Sequence, residues 1–176
     1  MSVLTEVSDL EAVLQEVITW DFIDPDRITL FGTSQGGLVS SLVATKHESQ
    51  LQGLILFYPA FVILDDIHNR YPTKESIPER TNYMGWIEVS KKYMLDVYDM
   101  DFYQEVGNYQ KDVLIIHGNR DSIVDLEYSK KLNTVYSNSV LKVIDGAGPG
   151  FYGDYFQESI AQIMNYFNQI ESKEEK

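Results

Sequence analysis

Arg27-Ile28-Thr29-Leu30-Phe31-Gly32-Thr33-Ser34-Gln35-Gly36-Gly37-Leu38 decides how this chain folds. A short apolar run, Arg27–Phe31, leads into G-x-S-x-G, and the residues from Gln35 to about Lys46 read as a helix. On its own the five-residue pattern is weak. Set between a strand and a helix it becomes specific, because a serine on so sharp a bend holds its hydroxyl clear of the backbone, the arrangement called a nucleophile elbow. Gly32 and Gly36 are expected to be glycines because side chains there would collide with neighbouring backbone in a tight turn.

Working outward, Gly53–Tyr58 is a continuous apolar run ended by Pro59, the pattern of a strand buried on both faces. Val113–His117 and Val140–Ile144 are two more buried runs. Between them lie helical patterns. From Thr5 to Trp20 the apolar positions Val7, Leu10, Val13, Leu14, Val17 and Ile18 recur at spacings of three and four, with Thr5 or Ser8 as caps. Asp24-Pro25-Asp26 is a turn. Asp125–Tyr136 reads as a helix with Leu126, Tyr128 and Leu132 inward. Asp154 starts a last helix whose inward face is Phe156, Ile160, Ile163, Met164, Phe167 and Ile170, before a charged, fraying tail at Glu171–Lys176. Strands alternating with helices predict an α/β fold: a mostly parallel sheet of about four strands with helices on both faces. The stretch from about 61 to 110 holds Pro72, Pro78 and many aromatics, with a helix near Ile87–Leu95; it is too long for a simple crossover and reads as a lid-like insertion. Residues 1–176 are expected to form one domain.

The chain is 44% hydrophobic and 23% charged, and its 14 Lys+Arg against 27 Asp+Glu give a formal net charge of −13. Nucleic acid and anionic membrane surfaces both reward basic patches, so neither is expected as a partner; the acidity itself reads as solubility. The absence of cysteine removes disulfides and thiolate metal sites. Glu6, Asp9, Glu11 and Glu16 interrupt any apolar run at the start of the chain, and no segment approaches the roughly 18 apolar residues of a membrane span. A cytoplasmic protein is the expectation.

A second signal lies downstream. Leu114-Ile115-Ile116-His117-Gly118-Asn119-Arg120-Asp121-Ser122-Ile123-Val124 places Asp121 in the loop after a buried strand, where an acid follows the serine in chain order. The alternative is that Ser34 and Asp121 are ordinary turn residues. From Ser2 to about Phe167 the chain resembles the alpha/beta-hydrolase superfamily, and within it bacterial feruloyl and cinnamoyl esterase-like or acyl-peptidase-like carboxyl-ester hydrolases. The resemblance is carried by Gly32-Thr33-Ser34-Gln35-Gly36-Gly37, by Leu54–Ala60 ending in Tyr58-Pro59-Ala60, and by His117-Gly118-Asn119-Arg120-Asp121. Gly146-Ala147-Gly148-Pro149-Gly150-Phe151 is similar to the glycine-rich histidine loop of that family. The resemblance implies a partial alpha/beta-hydrolase fold, Ser34 as nucleophile, Asp121 as the acid that orients a histidine, and the backbone N–H of Gln35 as an oxyanion donor. It implies a small-molecule ester or acyl substrate and no cofactor. The chain departs from the family at Pro149, which stands where the catalytic histidine falls and has no group to take the Ser34 proton. Met1–Val7 resembles an internal segment of longer members, so the chain is expected to correspond to the C-terminal portion of the family fold. The earlier strands, and the loop that gives the second oxyanion N–H, are then missing.

Other candidates carry less. His117 closes a strand and reads as structural; His47 follows the elbow helix, where the helix dipole favours it; His68 lies in the insertion and would reach Ser34 only from a lid. Asp125 is the alternative acid. Asp65 and Asp66 near His68 read as solvated surface rather than a metal site, and no metal is expected. The aromatics Tyr71, Tyr83, Trp86, Tyr93, Tyr98, Phe102, Tyr103 and Tyr109 either line an acyl or aryl pocket or build a satellite core. Gly146-x-Gly148-x-Gly150 lacks the dinucleotide spacing. Two functions compete: a serine carboxyl-ester hydrolase forming an acyl-enzyme at Ser34, with impaired activity, and a catalytically silent hydrolase-fold protein that binds a small ligand or a protein partner. The open edge of Arg27–Phe31 is expected to favour a homo-oligomer.

Overall fold

The structure is a computed structural model that describes residues 1–83, 85 and 87–174. Four strands, β1 (Thr29–Thr33), β2 (Gly53–Phe57), β5 (Asp112–Gly118) and β6 (Ser139–Ile144), form one all-parallel sheet in the order β1-β2-β5-β6. The register aligns Phe31 with Ile55, Ile55 with Leu114 and Leu114 with Val140. Every residue of β2 is buried, as its unbroken apolar run requires of a strand covered on both sides. Leu54, Leu56, Val113 and Ile115 point into the larger core, with α1 (Val3–Val17), α2 (Gln35–Lys46) and α6 (Leu126–Val135). The alternate residues Ile55, Phe57, Leu114 and Ile116 point the other way, against α7 (Asp154–Glu174). All four strands run the same way, so their C-terminal ends gather along one edge of the sheet, the place where open α/β sheets hold ligands.

Boundaries shift where local chemistry overrides periodicity. Helix α1 begins two residues before Thr5, the first cap the sequence offers, because Ser2 is its N-cap: the Ser2 hydroxyl accepts from Thr5 N–H, and the Thr5 hydroxyl reaches back to the Ser2 backbone. Strand β1 is displaced toward Thr33, leaving Arg27 and Ile28 before it.

Among its described residues the 61–110 stretch carries regular elements of its own. It holds α3 (Ile63–Arg70), a hairpin of β3 (Arg80–Tyr83) and β4 (Ile87–Ser90), α4 (Lys91–Leu95) and α5 (Phe102–Val106). The helix expected over Ile87–Leu95 is half wrong. Ile87 and Val89 alternate with Glu88 and Ser90, a period of two that pairs Val89 with Thr81, and the chain turns helical only at Lys91. Trp86 lies outside the described residues.

Helix α7 also differs from expectation. Its buried side is Tyr166 and Ile170, with Ile163 and Phe167 half-buried, while Phe156, Ile160 and Met164 are exposed. Tyr166 is missing from the apolar stripe because its value lies in the hydroxyl, which donates to Asp112 C=O (2.7 Å) and accepts from Leu54 N–H (3.3 Å). The helix runs through Glu171 to Glu174 rather than fraying there; Glu175 and Lys176 lie outside the described residues.

Candidate active site

Ser34 sits between β1 and α2 with φ 51° and ψ −124°. A non-glycine residue there costs about 1–3 kcal/mol and survives only where its surroundings dictate it. Here they do. Ser34 N–H donates to Phe57 C=O (3.0 Å), and Ser34 C=O accepts from Gly37 N–H (3.0 Å) and Ala60 N–H (2.9 Å). The elbow is thereby stitched to the segment that follows β2. The Ser34 side chain is exposed and makes no capping bond to its own helix.

Gly32 is required as predicted: a Cβ there would stand 2.3 Å from Gly36 O. Gly36 is not, since a Cβ at that position meets nothing within 4 Å. The collision expected at both glycines exists at one: Gly32 faces the Gly36 carbonyl across the turn, whereas on α2 the close approach falls at Gly37, where a Cβ would stand 2.9 Å from Pro59 Cβ, and Gly36 faces open space.

Gln35 is the first residue of α2, so its N–H has no intrahelical acceptor and lies at the positive end of the helix dipole. Its side chain is clamped. Tyr93 hydroxyl, from α4, donates to Gln35 Oε1 (2.6 Å), and Gln35 Nε2 donates to Glu6 Oε2 on α1 (2.8 Å). Burial, with Glu6 and Asp66 nearby, pushes the Tyr93 phenol up to about 12, so it stays a neutral donor.

A cavity of about 610 Å³ opens at Ser34, walled by Tyr83, Ile87, Val89, Tyr93 and Ile123. Arg80 and Glu88 stand at its border, paired at 2.7 Å across the hairpin. The insertion therefore does both things the sequence left open. Tyr83 and Tyr93 line the Ser34 cavity, whereas Tyr71, Tyr98, Phe102 and Tyr109 pack in or against the main core. Tyr103 lines a separate depression of about 640 Å³ with Phe61 and Tyr128, its ring covered by Lys131 Nζ at 3.9 Å.

Asp121 follows β5. Its Oδ1 accepts from Ile123 N–H (2.8 Å) and Val124 N–H (2.9 Å), and its Oδ2 lies 3.6 Å from His117 Nε2. His117 is fully buried and both ring nitrogens are engaged, Nε2 with Val124 C=O (2.9 Å) and Nδ1 with Ser129 Oγ (2.7 Å). A carbonyl only accepts, so Nε2 carries the proton and Nδ1 accepts from Ser129. Burial pushes the His117 pKa below its ordinary value despite the opposing pull of Val124 C=O, Asp121 and Asp125. This imidazole holds the 117–129 loop and is not free for proton transfer at Ser34.

The glycine-rich loop is knitted to that loop. Arg120 N–H donates to Ala147 C=O (2.9 Å), Asn119 Nδ2 to Asp145 Oδ1 (2.7 Å), and Gly146 N–H to Asn119 Oδ1 (2.8 Å). Phe151 stacks edge-on against Phe57 (5.1 Å) and Tyr58 (5.0 Å). Phe57 links the elbow to the 146–151 loop, and Arg120 and Asn119 link the Asp121 loop to it, so the three gather at the C-terminal edge of the sheet. Pro149 is exposed on the third of these, between Gly146 (φ 77°) and Gly150 (φ 79°).

Tyr58 was not legible as a site residue. It also has positive φ (37°), which turns the chain after β2 so that Ala60 reaches Ser34. Its phenol pKa is raised, chiefly by burial, with Tyr152 and Asp121 adding to it. Glu6 and Ile123 were missed as well; nothing local in α1 or in the β5 loop marks them.

The remaining candidates are occupied elsewhere. Asp125 Oδ1 caps α6 through Glu127 N–H (2.8 Å). His47 ends α2, 3.5 Å from Glu11. His68 Nε2 contacts Tyr98 C=O (2.9 Å) and does not line the Ser34 cavity. Asp65 accepts from Tyr128 hydroxyl (2.7 Å) and Asp66 from Tyr83 hydroxyl (3.3 Å). Among the described residues no group of three or more His, Asp or Glu is placed to hold a metal ion, and no helix is long and apolar enough to cross a membrane.

The family described as "Prolyl oligopeptidase family" matches residues 4–170. Among solved structures, the chain is similar to Est1E from Butyrivibrio proteoclasticus with ferulic acid bound, at TM-score 0.88 and 22% identity over 98% of this chain and 70% of that one. It is similar to alpha/beta hydrolase domain-containing protein 10 from mouse, at TM-score 0.74 and 15% identity over 97% and 71%. A monoacylglycerol lipase from Paleococcus ferrophilus gives TM-score 0.65 and 18% identity over 92% and 74%. At such identities the likeness shows the fold, which is that of the alpha/beta hydrolases. A search of curated proteins finds no match.

Proposed function

Because the chain belongs to the prolyl oligopeptidase family, we propose that it carries a serine-hydrolase site of the carboxyl-ester type whose turnover is impaired by Pro149. In this reading Ser34 is the nucleophile, Gln35 N–H is an oxyanion donor, and Asp121 is the acid that would orient a histidine. The observation that carries it is the strained Ser34, exposed at the mouth of a cavity of about 610 Å³. Acylation needs the Ser34 hydroxyl proton to leave as Oγ attacks the carbonyl carbon. Proline cannot accept it, and His117 already holds its proton on Val124 and accepts from Ser129. Loss of the histidine from a serine triad costs roughly a million-fold in kcat, about 8 kcal/mol of barrier.

The substrate class is a small ester or acyl compound, with aryl acyl groups favoured by the Tyr83 and Tyr93 walls. Est1E, which shares the fold, holds ferulic acid in its solved structure. The cytoplasm is the proposed compartment. A second reading draws on the same cavity: with its walls intact and its base absent, the protein binds such a ligand without turning it over.

Hydrolysis of p-nitrophenyl butyrate by the wild type, Pro149→His and Pro149→His/Ser34→Ala tests both. The wild type is expected near background, Pro149→His faster by about 10²–10⁴-fold, and the double variant back at background. Robust wild-type turnover that Ser34→Ala abolishes would refute the impairment. A folded Pro149→His no faster than wild type would refute the roles of Ser34 and Asp121, and leave ligand binding, read by titration with ferulate, to support the second reading.

A further inference from the structure

We propose that the depression between α3, α5 and α6 binds an aliphatic polyamine, one ammonium of which takes the place that Lys131 holds on the Tyr103 ring. This stands whether or not Ser34 is active.

The depression holds about 640 Å³, within the roughly 300–1,000 Å³ of small-molecule sites. It shares no lining residue with the Ser34 cavity. It lies beside α6, which packs on β5 and β6, at the far end of the sheet from β1. Phe61, Leu64 and Met100 give it an apolar lining. Tyr103 is fixed against that lining. Its ring packs on Phe61 (5.0 Å), and its hydroxyl donates to Tyr128 C=O (3.4 Å). The face of this ring already carries a cation, Lys131 Nζ at 3.9 Å. An ammonium is attracted there by the negative face of the π system.

Among the described residues Lys131 is the only basic side chain lining the depression, and it pairs with no carboxylate. Of the acids around it, Glu127 is taken by Lys130 (2.6 Å). The other three are held by one oxygen each. Asp101 Oδ1 accepts from Tyr103 N–H and Gln104 N–H (both 3.1 Å), Asp125 Oδ1 from Glu127 N–H (2.8 Å), and Asp65 Oδ2 from Tyr128 hydroxyl (2.7 Å). Among the described residues none of the three forms an ion pair, and each keeps its second oxygen free of protein donors. The helix ends that Asp101 and Asp125 cap offset only part of their charge. Burial pushes the Tyr103 phenol up, and Tyr128, Asp65 and Asp101 add to it, so the ring stays neutral beneath its cation.

These features specify the occupant. Lys131 is itself an ammonium on a flexible aliphatic stem, so the seat on Tyr103 accepts that chemistry, and an exposed lysine can swing aside. Phe61, Leu64 and Met100 suit methylene groups. Three fixed, uncompensated carboxylates suit further ammoniums. A monoamine would leave most of them unpaired, and an anion would meet like charge.

Spermidine titrated calorimetrically into the wild type is expected to bind at one saturable site, more weakly as salt rises. A chain with net charge −13 attracts any polycation, so each variant has a charge-matched control outside the depression. Lys131→Met keeps the stem and frees the ring. It is expected to tighten binding at least about threefold more than Lys142→Met on β6. Asp101→Asn keeps α5 capped, because asparagine caps as well as aspartate. It is expected to weaken binding at least about threefold more than Asp9→Asn on α1. In a Tyr103→Leu background, Lys131→Met is expected to tighten binding no more than Lys142→Met does. The absence of a saturable site, a Lys131→Met no tighter than Lys142→Met, or an Asp101→Asn no weaker than Asp9→Asn would each overturn the proposal.

Discussion

Replacing Gly32 by alanine puts a Cβ 2.3 Å from Gly36 O, 2.6 Å from Gly36 C and 2.6 Å from Ser40 Oγ. Ser40 is a side chain and can rotate. The Gly36 carbonyl is backbone in the first turn of α2 and cannot yield without moving the helix or β1, the two elements that define the elbow. Separations below about 3 Å to backbone demand a shift of most of an ångström, and overpacking of that kind costs about 1–3 kcal/mol, occasionally more. With β1 and α2 both bonded to the β2–Ala60 segment, the upper end applies, about 3 kcal/mol. At a urea slope of about 2 kcal/mol/M this lowers the unfolding midpoint by about 1.5 M. Gly36→Ala is the matched control. It has open space and sits in a helix, where alanine is favoured over glycine by up to about 1 kcal/mol, so it should leave the midpoint unchanged or raise it. Urea titrations followed by far-ultraviolet circular dichroism read both. A Gly32→Ala/Ser40→Ala double variant should remain close to Gly32→Ala, since the backbone clash persists. The reasoning fails if Gly32→Ala lies within 1 kcal/mol of wild type, or if Gly36→Ala is equally damaging.

Ser34→Gly should stabilise the fold by about 1 kcal/mol, because the relief of positive-φ strain exceeds the extra entropy glycine loses on folding; a destabilised variant would mean Ser34 is not strained. His117, whose pKa burial lowers, makes stability pH-dependent. Below the unfolded value of about 6.5 the unfolded chain binds a proton that the native state refuses, so stability falls as pH drops, by up to about 1.4 kcal/mol per unit until the native pKa is reached. Urea midpoints between pH 7.5 and 5 should show that slope in the wild type and lose it in His117→Gln; an identical slope in both would clear His117 of the effect.

The sheet was legible because burial on both faces leaves a plain mark: Gly53–Phe57 has no polar residue to interrupt it. The elbow was legible because its turn needs a particular residue, Gly32, beside a particular serine. What stayed hidden depends on contacts between distant segments. Tyr93 reaches Gln35 from 58 positions away, and Glu6 reaches it from 29. Neither separation leaves any trace in local periodicity. The hairpin at Arg80–Ser90 was read as part of a helix because the alternation of Ile87 and Val89 is only two residues deep. The exposed stripe of α7 was read as core since a helical apolar pattern says that a face is apolar, not what covers it. That Pro149 sits in the loop knitted to Asp121 followed from order along the chain alone, since each loop follows a parallel strand.

Two non-glycine residues with positive φ, Ser34 and Tyr58, flank the same crossing. At about 1–3 kcal/mol each, they are a sizeable share of a total stability of about 5–15 kcal/mol. Their persistence beside Pro149 has a structural cause. Tyr58 turns the chain so that Ala60 N–H meets Ser34 C=O, and Ser34 turns it so that its N–H meets Phe57 C=O. Each bend leaves the other's backbone groups paired at the sheet's edge, and relaxing either would orphan buried polar groups at about 1–3 kcal/mol apiece. The two strains are thus locked together by the packing of β1 and β2 and do not depend on a histidine being present. The same is true of Asp121, whose Oδ1 is held by Ile123 and Val124 N–H. On the proposed reading, in which Pro149 stands at the place of the base and Asp121 is the acid, an elbow and a loop maintained by backbone hydrogen bonds would outlast the loss of that base, which is why a single substitution at position 149 is the one expected to return turnover.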